Sequence, residues 1–561
     1  MSKIYWCNNC LIPVFQQQCP LCNEFTKPTY SDLKPVFIKE KKIYETFLHM
    51  KLPHHRFLFR RFNRIILNGE TLCSFKPKYY SSKSGRERWY LKFNEKKSDM
   101  QDKIDNFNNT IKKKYSTPKR YYDAILKAAE PHLKNKHDEA IKFVRQTVRD
   151  YNDRKVFVSF SGGKDSIVTA ILVSEALPDK PTLFFSDTTL EHPQTYKFIN
   201  DFTIKYNFDL VDYKKYASSN DFFELCRELG PPSISYRWCC TVFKSYPVNK
   251  YYNEHKEQYL TFDGIRRAES INRSKYQQIT RIKKIPRQIA AYPIIDWGEL
   301  EVWLYILSGA LNKFDAPLLY NPLYDLGNTR VGCYVCPAAS PTNCFFRKYT
   351  ANNEWIKFEG IIYDYAKSVG RDKAWVDDNY WRLRRPKKDR VTAGSSKSLK
   401  GHPDPFSVST DKGNCSDENV FLYELTEANN LGPDELEFFK PFGNMTLATS
   451  GDSTYFHVHR NNPISMKGMA LGNIIRVRFN PESFAKSKRI FEKQLHKALN
   501  CVGCGGCIGV CKHGAISINE KMKKIIIDEN KCTHCLECIN TNFVSQGCIA
   551  LNFKLEQKRI N

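Results

Sequence analysis

The stretch Lys155-Val-Phe-Val-Ser-Phe-Ser-Gly-Gly-Lys-Asp-Ser166, running directly into Ile167-Val-Thr-Ala-Ile-Leu-Val173, constrains this chain more than any other. Its order predicts a buried strand, a tight bend at Ser161-Gly162-Gly163 and the first turn of an apolar helix. Successive backbone N–H groups at such a bend, with the positive end of the helix dipole, make a cradle for oxyanions. Lys164 adds a mobile full charge, and Ser161 and Ser166 add hydroxyl donors. Asp165 is a candidate for positioning magnesium or for capping the helix. The spacing is not that of the Walker loop, which needs four residues between its first glycine and the Gly-Lys pair.

Around this stretch the chain alternates strand and helix patterns. An amphipathic helix is expected over 123–151, strands over 182–185, 208–213 and 259–262, and helices over 192–206 and 221–229. Such alternation predicts an α/β fold: a parallel sheet with helices on both faces and ligands at the carboxyl ends of its strands. At 561 residues the chain is too long for one core, so three or more domains are expected.

Ser-Gly-Gly-Lys-Asp-Ser resembles the pyrophosphate loop of the ATP pyrophosphatase and PAPS reductase superfamily. Further segments follow in the family's order over about 121–350. Ser186-Asp187-Thr188, continuing to Thr195, is similar to a segment beside the nucleotide. Gly264-Ile-Arg-Arg-Ala-Glu-Ser270, with Arg273, is similar to an element that binds the anionic substrate. Tyr292-Pro-Ile-Ile-Asp-Trp297 and Glu301-Val-Trp303 also resemble the family, without an assigned chemistry. The resemblance implies an adenine nucleotide, ATP or adenylyl sulfate, bound by Ser159, Ser161, Gly162, Gly163, Lys164, Asp165, Ser166, Asp187, Thr188 and Arg273. It implies that Lys164, Arg266 and Arg267 stabilise phosphate charge, for which arginine's planar fork is suited.

Twenty cysteines fall largely into close-spaced groups, and the N-terminus lacks a signal peptide's apolar segment. That combination argues for metal thiolates rather than disulfides. Cys7, Cys10, Cys19 and Cys22 form two thiolate hairpins suited to a structural zinc ion, with a rubredoxin-like iron site as the rival. Cys239 and Cys240, followed by Cys333 and Cys336, resemble the [4Fe–4S] site of iron–sulfur adenylyl-sulfate reductases; a zinc site or four reduced core cysteines are the alternatives. Cys501, Cys504, Cys507, Cys511, Cys532, Cys535, Cys538 and Cys548 resemble a two-cluster bacterial ferredoxin. In that pattern the fourth cysteine of each run serves the other cluster. The resemblance therefore implies Cys501, Cys504, Cys507 and Cys548 around one cubane, and Cys532, Cys535, Cys538 and Cys511 around the other. These clusters either deliver electrons or only staple a short domain. Cys73, Cys226, Cys344 and Cys415 are left over.

The formal charge of +27 is uneven: residues 51–120 carry 19 basic against 6 acidic side chains, a net +13. Basic and aromatic residues interleave there, as in His54-His-Arg-Phe-Leu-Phe-Arg-Arg-Phe62, and strand-like alternation with a turn at Asn68-Gly69 suggests a β-rich module over 31–120. This composition suits nucleic acid, through phosphate contacts and base stacking, and equally an ordinary β core with a charged exterior. No run approaches the ~18 apolar residues of a membrane span, so a cytoplasmic protein without a membrane partner is expected.

The resulting plan is a zinc ribbon (1–30), the basic module (31–120), the nucleotide domain (121–350), a helical segment and linker (351–416), an unassigned region (417–485) and a ferredoxin-like α+β domain (486–561). Two enzymatic readings follow from the resemblance. The first is ATP-dependent adenylation of an acceptor, a nucleic acid among the candidates, and sulfur transfer from a donor, with electrons from the chain's own ferredoxin domain. The second is an assimilatory adenylyl-sulfate or phosphoadenylyl-sulfate reductase forming sulfite. Lys164 belongs with ATP-cleaving relatives such as the DNA phosphorothioation sulfurtransferases, and the Glu-Cys-Gly-x-His segment that reductases use for attack is absent. Cys226 or Cys344 would have to replace that thiol. A third reading is a redox-sensing nucleic-acid-binding protein.

Overall fold

A computed structural model describes residues 3–30, 32–80, 88–234, 236–282, 285, 287–350, 352–377, 379–382, 405–410, 419–426, 432–443, 445–459, 465–519, 523–539 and 548–549. Cys415 and most of the expected linker lie outside the described residues. The chain divides into two compact units: residues 1–215, 257–282 and 288–356 form the first, and residues 216–256, 283–287 and 357–561 the second.

At the centre of the first unit stands a five-stranded sheet in the order Thr182–Phe184, Lys155–Ser159, Tyr259–Asp263, Gln288–Ala291, Ile279–Arg281. The first four strands are parallel and the last is antiparallel. The chain leaves Lys155–Ser159 for a neighbour on one side and returns to a neighbour on the other. Its carboxyl end is therefore the switch point where α/β sheets bind ligands. Helix Lys164–Ala176 starts there and is buried along nearly its whole length. The strand expected over 208–213 is reduced to one bridge, Leu183 with Leu210. Asp212 ends it by accepting from the Lys214 N–H, and a helical turn starts at Tyr213.

Helix Pro118–Asp150 is longer than the expected 123–151, because Pro118 and the Thr117 cap fit its first turn. At 33 residues it runs about 50 Å. One end packs on the N-terminal segment, where the buried Tyr121 hydroxyl donates to Leu11 O at 2.9 Å. At the other end Ala140, Ile141 and Val144 pack with strand Lys155–Ser159 and helix Lys164–Ala176. The N-terminal region holds a small three-stranded sheet and an antiparallel five-stranded sheet from Lys34–Pro35 to Arg88–Phe93, with helices Ile38–Leu48 and Lys97–Lys114. Asn68 (φ 51°) and Gly69 (φ 77°) make the turn between two of its strands. A side chain at Gly69 would also strike the Trp6 ring, its Cβ 2.7 Å away. Trp6, Ile12, Phe59, Ile65 and Tyr121 share one core with Leu300 and Phe345.

The second unit contains a six-stranded antiparallel sheet in the order Phe406–Thr410, Val420–Leu425, Ile474–Phe479, Met466–Leu471, Ser453–Val458, Met445–Ser450. Residues 406–410, within the expected linker, form its edge strand, and the region without an interpretable motif forms the rest. Phe491 of helix Phe484–Leu499 packs on Tyr423 and Phe479 of this sheet. The cysteine-rich tail follows, around the hairpin Ile516–Asn519 and Lys524–Ile527. Among the described residues no helix is long and apolar enough to cross a membrane.

Candidate functional site

The residues of the 161–166 loop meet at the switch point. Gly162 takes a φ of 68°, as the bend requires. Ser166 Oγ donates to Gly163 O at 2.8 Å and accepts from the Ser161 N–H at 3.3 Å, bracing the loop from inside. The Lys164 N–H donates to the Tyr324 hydroxyl at 3.0 Å. Asp263 closes its strand beside Ser159. Burial pushes the Asp263 carboxyl up to about 6, although Ser159, Arg273 and Thr261 pull it back, and its Oδ1 is buried without a hydrogen-bond partner.

Lys164 and Arg266, 2% and 3% exposed, do not stand open to an anion. Lys164 Nζ pairs with Asp165 Oδ2 at 2.9 Å and Glu299 Oε2 at 3.3 Å. Arg266 pairs through Nε with Asp165 Oδ1 at 2.6 Å and through Nη2 with Glu299 Oε2 at 2.7 Å. Two cations thus face two carboxylates in a closed quartet. Burial alone would raise the Asp165 carboxyl; Arg266 and Lys164 outweigh it and hold the group well below the usual carboxylate range. Both Asp165 oxygens are engaged by cations of the chain, so the candidate magnesium ligand is an ion-pair partner here. Gly264 makes the quartet possible: a Cβ there would lie 2.5 Å from the Asp165 carbonyl carbon. Only glycine lets the strand end close on the helix start, and Arg266 follows two residues later.

The remaining arginines also have carboxylate partners. Arg267 Nη1 pairs with Asp296 Oδ1 at 2.5 Å, and Arg273 pairs with Glu269. Asp187 Oδ1 accepts from the Thr189 N–H at 2.8 Å and the Tyr196 hydroxyl at 2.6 Å. The Thr188 hydroxyl lies 3.3 Å from Cys333 Sγ and donates to Glu191 Oε1 at 3.0 Å. Glu299 and Tyr324 were not among the residues expected from sequence. The signal for Glu299 was present: a carboxylate opening the apolar run Leu300–Leu307 needs a partner once buried.

The basic module also keeps some of its charge inside. Glu40 accepts from Lys34 Nζ at 2.7 Å, Arg60 Nη1 at 2.8 Å and the Tyr44 hydroxyl at 2.7 Å, all four residues being buried. Arg60, read from sequence as part of a basic surface, is an interior cation.

The thiols fall into groups that differ in the metal they could hold. Cys7, Cys10, Cys19 and Cys22 bring their sulfurs within 4.8 Å of one another, with Cys7–Cys22 at 3.5 Å and Cys10–Cys19 at 3.9 Å. A tetrahedron with Zn–S bonds of ~2.3 Å has edges of about 3.8 Å, so this set fits zinc. In the tail, the neighbours that raise the Cys504 thiol after burial are Cys507, Cys501 and Cys548. Cys532 is raised by burial first and then by Cys511 and Cys535. These groupings fit two cubanes with the crossed fourth ligands. Cys239 and Cys240 end a short helix in the second unit, whereas Cys333 and Cys336 lie on a first-unit loop whose Cys336 N–H donates to Cys333 O at 3.3 Å. The segment bearing Cys239 and Cys240 is fastened to the ferredoxin loops. Asn220 Nδ2 donates to Gly503 O at 3.4 Å, Asn249 Nδ2 to Gly509 O at 3.2 Å, and the Tyr236 hydroxyl to Ile549 O. Cys226 and Cys344 are buried.

Residues 155–339 match the phosphoadenosine phosphosulfate reductase domain, and residues 500–541 the 4Fe-4S dicluster domain. Cys548 lies beyond the second match. An uncharacterized protein of Methanocaldococcus jannaschii is 34% identical over 279 residues, covering 50% of this chain and 56% of that protein. The chain thus spans about half of that relative's length. The adenosine 5'-phosphosulfate reductase of Lysinibacillus sphaericus is 28% identical over 213 residues, 37% of this chain and 85% of the relative. Among solved structures, the phosphoadenylyl-sulfate reductase of Candida auris in its phosphate complex is 19% identical, with a TM-score of 0.27, covering 37% of this chain and 96% of that one. The chain therefore carries a PAPS reductase domain of α/β fold with a parallel sheet, a β-rich region and a dicluster ferredoxin region.

Proposed function

We propose that the protein uses ATP to adenylate an acceptor oxygen and then exchanges that oxygen for sulfur, with its own ferredoxin region as electron source. The observation that carries this reading is Lys164, a buried ammonium at the first residue of the helix behind the loop. Burial would lower Lys164, but Asp165 and Glu299 more than compensate, so it stays protonated. In adenylation the acceptor oxygen forms a bond to the α-phosphorus, the α–β bridging bond breaks, and pyrophosphate leaves. Lys164 and the Gly162 and Gly163 N–H groups stabilise the charge gathering on the leaving phosphates. Re-pairing of Asp165 and Glu299 with Arg266 frees Lys164 for the phosphates without leaving either carboxylate unpaired. Asp187, Thr188 and Arg273 line the nucleotide's remaining contacts, and Arg267 adds charge at the substrate's anionic end. The outer sulfur of a persulfide donor then forms the carbon–sulfur bond as AMP departs with the oxygen, and two electrons cleave the resulting disulfide to leave one thiolate on the acceptor and one on the donor. Zinc on Cys7, Cys10, Cys19 and Cys22 is structural; the exterior cations of 31–120 suit an RNA or DNA acceptor. Iron–sulfur clusters, when bound, supply single electrons. Fastening of the Cys239–Cys240 segment to the ferredoxin loops supports internal delivery of electrons to that segment.

A second reading, reduction of adenylyl sulfate or phosphoadenylyl sulfate to sulfite, is favoured by the named relatives and by Cys333 beside Thr188. Anaerobic protein with labelled ATP or adenylyl sulfate separates the two. Pyrophosphate release stimulated by nucleic acid supports adenylation; sulfite from adenylyl sulfate supports the reductase. Neither product from protein with fully loaded clusters defeats both.

A further inference from the structure

Helix Phe484–Leu499 carries, two residues before its end, a lysine in a place where a surface helix would not hold one. Lys497 is 1% exposed. Its neighbours Leu495 and Ala498 belong to the same core as Cys507, Cys538 and Ile539. The Lys497 Nζ donates to Cys538 O at 3.4 Å. Among the described residues no carboxylate pairs with it in a salt bridge; the nearby groups of opposite potential charge are thiols of both cysteine sets. Cys507 and Cys538, one from each of the two sets, lie in the core on which this end of the helix packs.

An unpaired ammonium in a protein interior is strongly unfavourable. Its retention needs a compensating anion nearby, and a cubane ligated by four thiolates is one. The oxidised cluster with its thiolates carries two negative charges and the reduced cluster three, so a fixed cation beside it favours reduction. Cluster charge, hydrogen bonding and burial are the levers by which a protein sets such potentials.

We propose that Lys497 is a positioning residue for electron transfer: one buried ammonium shared by the two tail cubanes that makes both easier to reduce. Each cluster takes one electron from a low-potential donor, dithionite in the assay. No bond is made or broken in that step. The six-stranded sheet thereby gains a purpose, since the helix that holds this cation rests upon it.

The test is an EPR-monitored reductive titration of the full chain with iron content measured in parallel. Lys497→Met is expected to lower the electron affinity of both clusters about tenfold, a fall of ~59 mV for a one-electron couple. Lys497→Arg, which keeps the charge, is expected to stay within about threefold of wild type. Unchanged midpoints in the methionine variant, a shift confined to one cluster, or an arginine variant displaced as far as methionine overturns the proposal. Should the methionine variant fail to retain iron, Lys497→Gln takes its place, and the arginine variant must still titrate like wild type for the proposal to stand.

Discussion

Arg266 Nε donates to Asp165 Oδ1 across 2.6 Å, joining positions 101 apart in sequence. Through this bond the arginine motif after the third parallel strand and the lysine loop after the first become one electrostatic object. Glu299 completes it, accepting from Arg266 Nη2 at 2.7 Å and from the Trp303 indole N–H at 3.2 Å.

Breaking one member of the quartet is expected to cost more than removing a surface pair. Arg266→Ala leaves two buried carboxylates with one cation and is expected to destabilise the first unit by about 3–5 kcal/mol. Denaturant unfolding followed at the tryptophans checks this; a loss below about 1 kcal/mol contradicts the closed quartet.

Lys164→Met also leaves Asp165 and Glu299 with one cation, so its activity is measured on protein shown to be folded by circular dichroism. On the adenylation reading, pyrophosphate release is expected to fall ~10²–10³-fold. An equal rate in wild type and variant, with clusters intact, removes Lys164 from the chemistry.

Asp263 and Asp165 are shifted in opposite directions, so their pH signatures have opposite signs. With its folded value raised from 3.8 to about 6, Asp263 contributes stability below pH 3.8 that is lost as the pH rises through 6. Asp165, held low, contributes stability above pH 3.8 that is lost only as the pH falls through its depressed folded value. Asp263→Asn is therefore expected to stabilise the protein at pH 7.5, by up to about 3 kcal/mol, and to leave it little changed near pH 4. Thermal unfolding at the two pH values measures the difference; equal effects at both contradict the assignment.

Glu40 supports three donors in the N-terminal core. Glu40→Gln should strand Lys34 and Arg60 as buried cations and lower stability by about 3–5 kcal/mol. A simultaneous Lys34→Met change is expected to recover part of that loss, and a strictly additive double variant refutes the pairing.

The 161–166 bend and the cysteine groups were legible because they depend on local spacing: paired glycines, or thiols two residues apart. Glu299 and Tyr324 were not, since each reaches the loop only after the sheet has closed. Charge counting misread Arg60 for a related reason. A guanidinium between Phe59 and Arg61 looks like surface until Glu40 arrives from a helix 20 positions away. The six-stranded sheet is a different case. Ile474–Phe479 alternates exposed and buried residues as a half-buried strand should. Its period was present, but no glycine or cysteine signature drew attention to it.

The long helix Pro118–Asp150 has a further consequence. Phe15, on the segment between the two N-terminal cysteine hairpins, stacks on His132 at 4.3 Å. His132 Nε2 in turn meets Glu301 Oε1 at 2.5 Å. Glu301 caps the helix on which Glu299 stands, two residues before it. The cysteine hairpins and the carboxylate that restrains Lys164 thereby stand at the two ends of one short relay: Phe15 on His132, His132 on Glu301, Glu301 on the helix of Glu299. A metal held on those thiols would steady its near end.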